Sequence, residues 1–185
     1  MKMTVSNPEP LVEHNFSNGV RGSQQQKYFL NIAGEFYVAA ELNRRGIYAS
    51  VTYGAAKNAD VLAFDQESRQ TAVIEVKTTA SPNKKWVTGQ HSINESNKHS
   101  HTFWVLTLLP DVKETQGSPR FFVFTSKELV EKVSESHRLY SEGYQKKHGV
   151  PFEDSKGVYS LSLEEAESMD AEGKWAKIQE WLAQK

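Results

Sequence analysis

The stretch Ala72-Val-Ile-Glu-Val-Lys77 places an acid and a lysine inside an otherwise apolar run, and this decides how the fold is interpreted. Residues two apart in a β-strand point to the same face, so Glu75 and Lys77 project together. Burying two charges in the middle of a sheet is costly unless they are paired or bind a metal. The stretch therefore predicts a buried strand that carries a charged site.

The pattern of an acid, any residue and then lysine also occurs at Asp111-Val-Lys113, Asp154-Ser-Lys156 and Glu172-Gly-Lys174. Only Glu75 and Lys77 lie within a strong apolar strand. A second apolar run, residues 61–64, is preceded by one acid, Asp60, at the point where the chain would enter the sheet. The context therefore selects Asp60, Glu75 and Lys77 as candidate site residues.

The order of the predicted elements indicates an α/β fold. A helical pattern runs from Ser23, a suitable N-cap, to Arg45, and Gly46 is a suitable stop. The predicted core face of this helix consists of Phe29, Ile32, Phe36, Ala39 and Leu42. Strands are predicted at 47–53, 60–65, 71–79, 101–109 and 120–125, and further helices at 90–97, 126–145 and 173–183. A central mixed β-sheet of about five strands, flanked by helices, accounts for this order.

The composition is that of an ordinary globular protein, with 38% hydrophobic and 24% charged residues. Residues 1–22 are predicted to be a flexible N-terminal arm, and residues 23–185 a single domain with a C-terminal helical extension. Without cysteines, an apolar leader or a membrane-spanning run, a cytoplasmic protein with no membrane partner is expected. The net charge of −1 means that contacts with nucleic acid would need a local basic patch.

Glu35 is a third candidate carboxylate. On the helical wheel it falls inside the apolar arc with Leu42, where a charge is costly without a partner. Together with Asp60, Glu75 and Lys77 it would supply what phosphodiester hydrolysis requires. Carboxylate oxygens hold Mg²⁺ or Mn²⁺, which polarises a phosphate and lowers the pKa of a bound water. The lysine would orient that water and offset the charge that builds on the phosphate.

With these residues the sequence resembles the PD-(D/E)XK nuclease superfamily, which includes many restriction endonucleases and the archaeal Holliday junction resolvases. The resemblance rests on Gly34-Glu35, Val38-Ala39, Leu42, Gly46, Asp60 and Ile74-Glu75-Val76-Lys77. It covers about residues 28 to 79 and extends to residue 125 only through the order of the strands. The proline before the family's aspartate is Ala59 here, which weakens the match in sequence more than in chemistry.

The resemblance implies a restriction-endonuclease-like fold and a role for each residue. Asp60 and Glu75 would be the metal-ligating acids. The backbone carbonyl of Val76 would be a further ligand, and Lys77 would position the water. Glu35 would be the helix carboxylate beside the metal. The implied activity is that of a Mg²⁺-dependent endonuclease acting on DNA, and a homodimer is expected by analogy, because cutting two strands takes two sites.

Lys84, Lys85 and Trp86 form a small basic and aromatic cluster just after the candidate site. Positive charge beside a stacking ring suits a nucleic-acid strand, so these residues are predicted to bind nucleic acid. A solvated loop anchored by its Trp explains the cluster equally well. Several members of the superfamily have a Gln on the following helix that assists the site, and Gln90 is the candidate for this role.

Each candidate also has a purely structural interpretation. Glu75 and Lys77 would then be an ion pair at a strand end, and Asp60 a turn residue. Glu35 would pair with a nearby cation such as Arg69 or Lys57. The main functional alternative is a catalytically inactive nuclease-like module that binds DNA or serves in assembly. Loss of an acid or of the lysine is its usual sign, and all four residues are present here. An enzyme acting on RNA would use the same site.

Overall fold

A computed structural model describes residues 20–52, 59–89, 101–112, 117–153 and 159–184. Its elements are α1 (Val20–Arg44), β1 (Tyr48–Val51), β2 (Val61–Phe64), β3 (Thr71–Thr79), β4 (Trp86–Val87), β5 (Thr102–Leu108), β6 (Arg120–Thr125), α2 (Ser126–His148), β7 (Ser160–Leu161), α3 (Leu163–Ser168) and α4 (Ala176–Leu182). Within these residues, five strands form one sheet in the order β1-β2-β3-β5-β6, and β4 pairs with β7. The predicted α/β fold, a five-stranded sheet flanked by helices, is confirmed.

The hairpin of β2 and β3, together with the parallel neighbour β5, builds the centre of the sheet. β2 and β3 are antiparallel, with Val61 opposite Ile74, while β3 and β5 are parallel. β1 joins β2 and β6 joins β5 in antiparallel fashion, so the sheet is mixed. β3 and β6 have the bounds that the sequence predicts, Thr71–Thr79 and Arg120–Thr125.

Helices cover both faces of the sheet. Because side chains alternate along each strand, both faces carry apolar residues on which helices can pack. One apolar layer joins α1 and α4 to the face that carries Ile74. The other joins α2, β4 and β7 to the face that carries Trp104 of β5. Glu75 lies opposite Trp104 in the parallel ladder, so Glu75 and Lys77 belong to this second face.

The ends of α1 differ partly from the prediction. The helix begins at Val20, so Ser23 lies inside it and is not its N-cap. Residues 20–22, which the sequence pattern assigns to a flexible arm, are therefore helical, and residues 1–19 lie outside the described residues. The predicted stop at Gly46 is confirmed: its φ is 79°, and its N–H donates to the Asn43 carbonyl at 2.9 Å.

The predicted core face of α1 is wrong at Phe29 and Phe36, which are 55% and 48% exposed. Residues 24–29 are exposed. This shows that only the C-terminal half of α1 packs on the sheet. The buried apolar residues of this half are Val38, Ala39 and Leu42. Phe36 lies about 100° around the helix from Glu35. Glu35 therefore lies on the side of α1 that packs on the sheet, whereas the rings of Phe29 and Phe36 lie outside it.

Three short elements were not predicted, the strands β4 and β7 and the helix α3. β4 is antiparallel to β7, with Trp86 opposite Leu161, and α3 follows β7 with a capping box between Ser162 and Glu165. Strands of two residues have no measurable periodicity, and these two lie far apart in the sequence, so neither predicts the other. Their pairing encloses the second apolar layer.

The remaining helices keep their predicted places with different ends. α2 continues to His148 and stops at Gly149, whose φ is 73°. α4 is shorter than predicted, since Gly173, with a φ of 65°, lies in the turn before it. The helix predicted at residues 90–97 falls outside the described residues. In the part of the chain that is described, no helix is both long and apolar enough for a membrane crossing.

Candidate active site

β3 carries Glu75 and Lys77 on one face at the centre of the sheet. Glu75 is only 5% exposed, and the Nζ of Lys77 lies 3.6 Å from its Oε2. This separation is longer than a hydrogen bond, so the pair is electrostatic. The same Nζ lies 5.5 Å from the centre of the Trp104 ring, which is close enough for a cation–π interaction. The ammonium group is thus held between a carboxylate and an aromatic face.

Asp60 lies directly before β2, next to Glu75 in the antiparallel register. Its backbone N–H donates to the Ile74 carbonyl at 3.0 Å, and its Oδ2 accepts a hydrogen bond from the Val76 N–H at 2.7 Å. In a strand, the N–H and C=O of one residue point to the same side. The Val76 carbonyl therefore points to the side of the strand where the Asp60 carboxylate is anchored.

Glu35 approaches this group from α1. Burial of the half-buried carboxyl raises its pKa, the negative charge of Asp60 raises it further, and Lys77 acts in the opposite direction. Glu35, Asp60 and Lys77 are therefore close enough to share one electrostatic environment. All four predicted catalytic residues lie around the same part of β3.

Gly34 explains how the helix comes this close. It is buried, and a Cβ at this position would clash with the Oγ1 of Thr78 on β3. Only glycine allows the α1 backbone to approach the strand here. The close contact holds α1 against β3 next to Glu35, whose carboxyl is influenced by Asp60 and, more weakly, by Lys77.

The donor types suit a hard divalent cation, since Asp60 and Glu75 offer carboxylates and Val76 offers a carbonyl. Among the described residues, however, no group of three or more His, Cys, Asp or Glu side chains could hold a metal ion. Glu35, Asp60 and Glu75 therefore do not form the three-carboxylate set that the sequence predicts. Asp60 is bound to the Val76 N–H and Glu75 is paired with Lys77. A Mg²⁺ ion commonly takes one or two carboxylates and fills its other positions with water or phosphate oxygens.

The residues predicted to bind nucleic acid differ in their exposure to solvent. Lys84 and Lys85 are exposed and line a cleft that also contains Lys77. The prediction is wrong for Trp86, whose side chain is 2% exposed and whose indole N–H donates to the Thr107 carbonyl at 3.0 Å. A buried ring cannot stack on a base, so Trp86 anchors β4 instead. Gln90 lies outside the described residues.

An aromatic group that sequence reasoning missed lies beside these lysines. His137 and Tyr140 of α2 and the later Phe152 lie in a groove together with Lys84 and Lys85. The two α2 residues are three positions apart, which is the spacing of one helix face. The strongly polar composition of α2 conceals this face, and Phe152 joins it only through tertiary structure.

Comparisons with family models, with curated proteins and with solved structures find no match to the chain. A functional proposal therefore rests on the geometry of the site and on the resemblance in sequence.

Proposed function

We propose that the chain is a metal-dependent nuclease of the PD-(D/E)XK type, which hydrolyses phosphodiester bonds in DNA. The observation that carries this proposal is the junction of β2 and β3. There the Val76 N–H holds the Asp60 carboxylate at 2.7 Å, and the Val76 carbonyl points to the same side. Glu75 and Lys77 flank Val76 on the same strand, 3.6 Å apart. The order of these groups is the one that the resemblance assigns to a nuclease.

Each residue then has a defined task. Asp60, Glu75 and the Val76 carbonyl would hold a Mg²⁺ or Mn²⁺ ion, which when bound polarises the phosphate and lowers the pKa of a water. The hydrogen bond from Val76 fixes the orientation of Asp60 in advance. Lys77 would turn from Glu75 towards the attacking water or the phosphate charge. This turn breaks no hydrogen bond between the two residues, because their present contact is too long to be one.

Glu35 would be the supporting carboxylate beside the metal. Burial and the charge of Asp60 raise its pKa, and a cation held by Asp60 would offset the contribution of Asp60. Glu35 would then face the attacking water as a hydrogen-bond acceptor.

A second function has a specific observation in its favour. Among the described residues no three acids form a metal-holding group, and Glu75 is already paired with Lys77. A module that binds DNA without cutting it would have this arrangement. The two functions differ in one measurable respect, because only the nuclease turns over substrate in the presence of Mg²⁺ or Mn²⁺.

Cleavage assays separate the two. Wild-type protein, Asp60→Asn and Lys77→Gln are incubated with circular duplex DNA, single-stranded DNA and RNA, in Mg²⁺, in Mn²⁺ and in EDTA. We expect metal-dependent cleavage by the wild type and rates at least about 100-fold lower for both variants. Glu131→Gln, an exposed substitution on α2, is the control and should cleave normally. Full cleavage by both site variants, or none by the wild type on any substrate, would refute the proposal.

The proposal extends to the oligomeric state. One site of this kind cuts one strand, so the cutting of a duplex calls for two copies of the chain. Sedimentation velocity with and without duplex DNA should detect a dimer in at least one of the two conditions. A monomer in both would restrict the enzyme to one strand at a time.

A further inference from the structure

A cleft of about 560 Å³ opens at Lys77 and leads away from the candidate site. Its walls come from α1, from the end of β3 and from β4. Among the described residues that line it, Lys27, Lys77, Lys84 and Lys85 are basic and Asp111 is acidic. Lys77 is paired with Glu75, and the other three lysines still outnumber Asp111 in a chain whose net charge is −1. We name this cleft the lysine groove.

A second groove, also about 560 Å³, continues from the first along β4. Lys84, Lys85 and Val87 line both grooves. The opposite wall of the second groove is aromatic and includes Tyr140 and Phe152. We name it the aromatic groove. Because the two grooves share three residues in and just before one strand, they adjoin each other along these residues.

The walls of the two grooves are held by the fold. Trp86 points into the core with 2% exposure, so its neighbour Val87, 56% exposed, faces outward. The Tyr140 ring is 59% exposed and meets the Phe152 ring at 90° with 5.1 Å between their centres. The contact with Phe152 supports the Tyr140 ring from one side and leaves more than half of its side chain accessible.

We propose that the two grooves form one binding track for an unpaired DNA strand. The lysines would bind its phosphates on the way to Lys77, and a base would stack on Tyr140. Proteins that bind single strands combine a basic groove with aromatic rings on which bases stack. The bases of an intact duplex are stacked inside the helix and do not reach such a ring. The substrate class is therefore DNA with an unpaired end or loop. Binding of such DNA is independent of the proposed nuclease function, and only its cleavage rests on that function.

Fluorescence anisotropy in EDTA tests the track without cleavage. A short labelled oligonucleotide is used as a single strand and as a duplex of the same sequence. We expect the wild type to bind the single strand more tightly. Tyr140→Ala should weaken single-strand binding about tenfold and leave duplex binding almost unchanged. The matched control is Tyr48→Ala, since Tyr48 is an equally exposed tyrosine (62%) on the edge strand β1.

The lysines are tested through salt dependence. The double variant Lys84→Gln, Lys85→Gln should lower the slope of log affinity against log salt by roughly 1.4 for the single strand, or about 0.7 for each phosphate that a lysine no longer neutralises. The control with the same net charge is Lys127→Gln, Lys174→Gln, at two exposed lysines outside both grooves. It should leave the slope near that of the wild type.

The outcomes distinguish this inference from the nuclease function. Equal binding of single strand and duplex, or groove variants that behave like their controls, would overturn the track even if the wild type cleaves DNA. Single-strand binding that depends on Tyr140 and on both lysines would support the track even if no metal-dependent cleavage is found. In the second case the nuclease function fails and the track remains as a binding surface.

Discussion

Two charged regions of the molecule use the same residue types in different ways. At the start of α2, the Nζ of Lys177 donates to both carboxylate oxygens of Glu128 at 2.7 and 2.8 Å and to the Val123 carbonyl at 3.1 Å. Burial works to raise the pKa of Glu128, but the hydrogen bonds from Lys177 and Thr125 outweigh it, and the pKa is lowered. We call this the α2 ion pair.

The contact between Lys77 and Glu75 on β3 is looser than the α2 ion pair. Lys77 and Glu75 are 3.6 Å apart, beyond hydrogen-bond distance. Burial and the charge of Asp60 raise the pKa of Glu35, and Lys77 offsets this only in part. At this site Asp60 and Glu35 repel each other, whereas the carboxylate of the α2 ion pair is stabilised.

On the proposed function, this difference is the one between a structural pair and a functional site. A closed pair of hydrogen-bonded charges adds to the stability of the fold. A group of like charges kept together lowers stability and is relieved by binding a cation, which is typical of functional sites. The comparison predicts that substitutions in the β3 site lower activity with little effect on stability, whereas substitutions in the α2 ion pair lower stability with little effect on activity.

The largest expected effect is the loss of activity in Asp60→Asn. Asparagine can still accept the hydrogen bond from Val76, so the free energy of unfolding should change by less than about 0.5 kcal/mol. Cleavage should fall at least about 100-fold, because a ligand charge is lost. Cleavage rates and urea unfolding curves measure the two quantities. If the loss of activity in Asp60→Asn were explained by unfolding of the variant, the two regions would not differ.

Gly34→Ala should cost about 1–3 kcal/mol of stability, because the new Cβ clashes with Thr78 and α1 must move away from β3. Adding Thr78→Ala should restore part of the loss, which urea unfolding of the double variant can measure. The control is Gly143→Ala in α2, where a Cβ meets no atom within 4 Å. It should stabilise the protein by about 0.5–1 kcal/mol. Equal effects at the two glycines would contradict the close approach.

Lys177→Met should lower the free energy of unfolding by about 1 kcal/mol, because Glu128 and the Val123 carbonyl lose their donor. Cleavage should stay at the wild-type rate once the protein is folded. Chemical denaturation and the cleavage assay check both statements. A large loss of cleavage without unfolding would mean that the α2 ion pair also serves the site.

The smallest effect concerns pH and Glu35. Its pKa in the folded protein is raised above the ordinary value of 4.5, so the folded state binds this proton more tightly than the unfolded state does. The resulting stability is present at low pH and is lost as the pH rises through the folded pKa. Glu35→Gln should therefore be more stable than the wild type near neutral pH, by less than about 1 kcal/mol because the group is partly exposed.

Unfolding curves of Glu35→Gln across the pH range measure this difference, which should vanish at acidic pH. Glu41→Gln on the same helix is the control of opposite sign. Hydrogen bonding to Arg44 is the largest cause that lowers the pKa of Glu41. The control should therefore be less stable than the wild type near neutral pH. The same sign for both variants would contradict the assigned environment of Glu35.

The centre of the sheet could be predicted from the sequence because its signals are local. The bounds of β3 and β6 follow from apolar runs that end at polar turns. The wheel position of Glu35 also predicted its partial burial, since a 3.6-residue period fixes which residues share a face. These predictions need only the geometry of a single element.

The rest depends on contacts between distant residues. Phe29 and Phe36 look like core residues, but only the C-terminal half of α1 meets the sheet. Trp86 lies in a polar stretch, and its burial comes from pairing with Leu161 much later in the chain. The position of Glu35 relative to Asp60 and Glu75 was likewise beyond the sequence, because it depends on how closely α1 packs on β3.

The most direct test of the central claim is Mn²⁺ binding, measured by isothermal titration calorimetry with a single-stranded oligonucleotide present. We predict saturable binding by the wild type and none by the double variant Asp60→Asn, Glu75→Gln, with Glu131→Gln binding as the wild type does. Absence of binding by the wild type, or unchanged binding by the double variant, would contradict the assignment of Asp60 and Glu75 as metal ligands and leave a structural charge cluster.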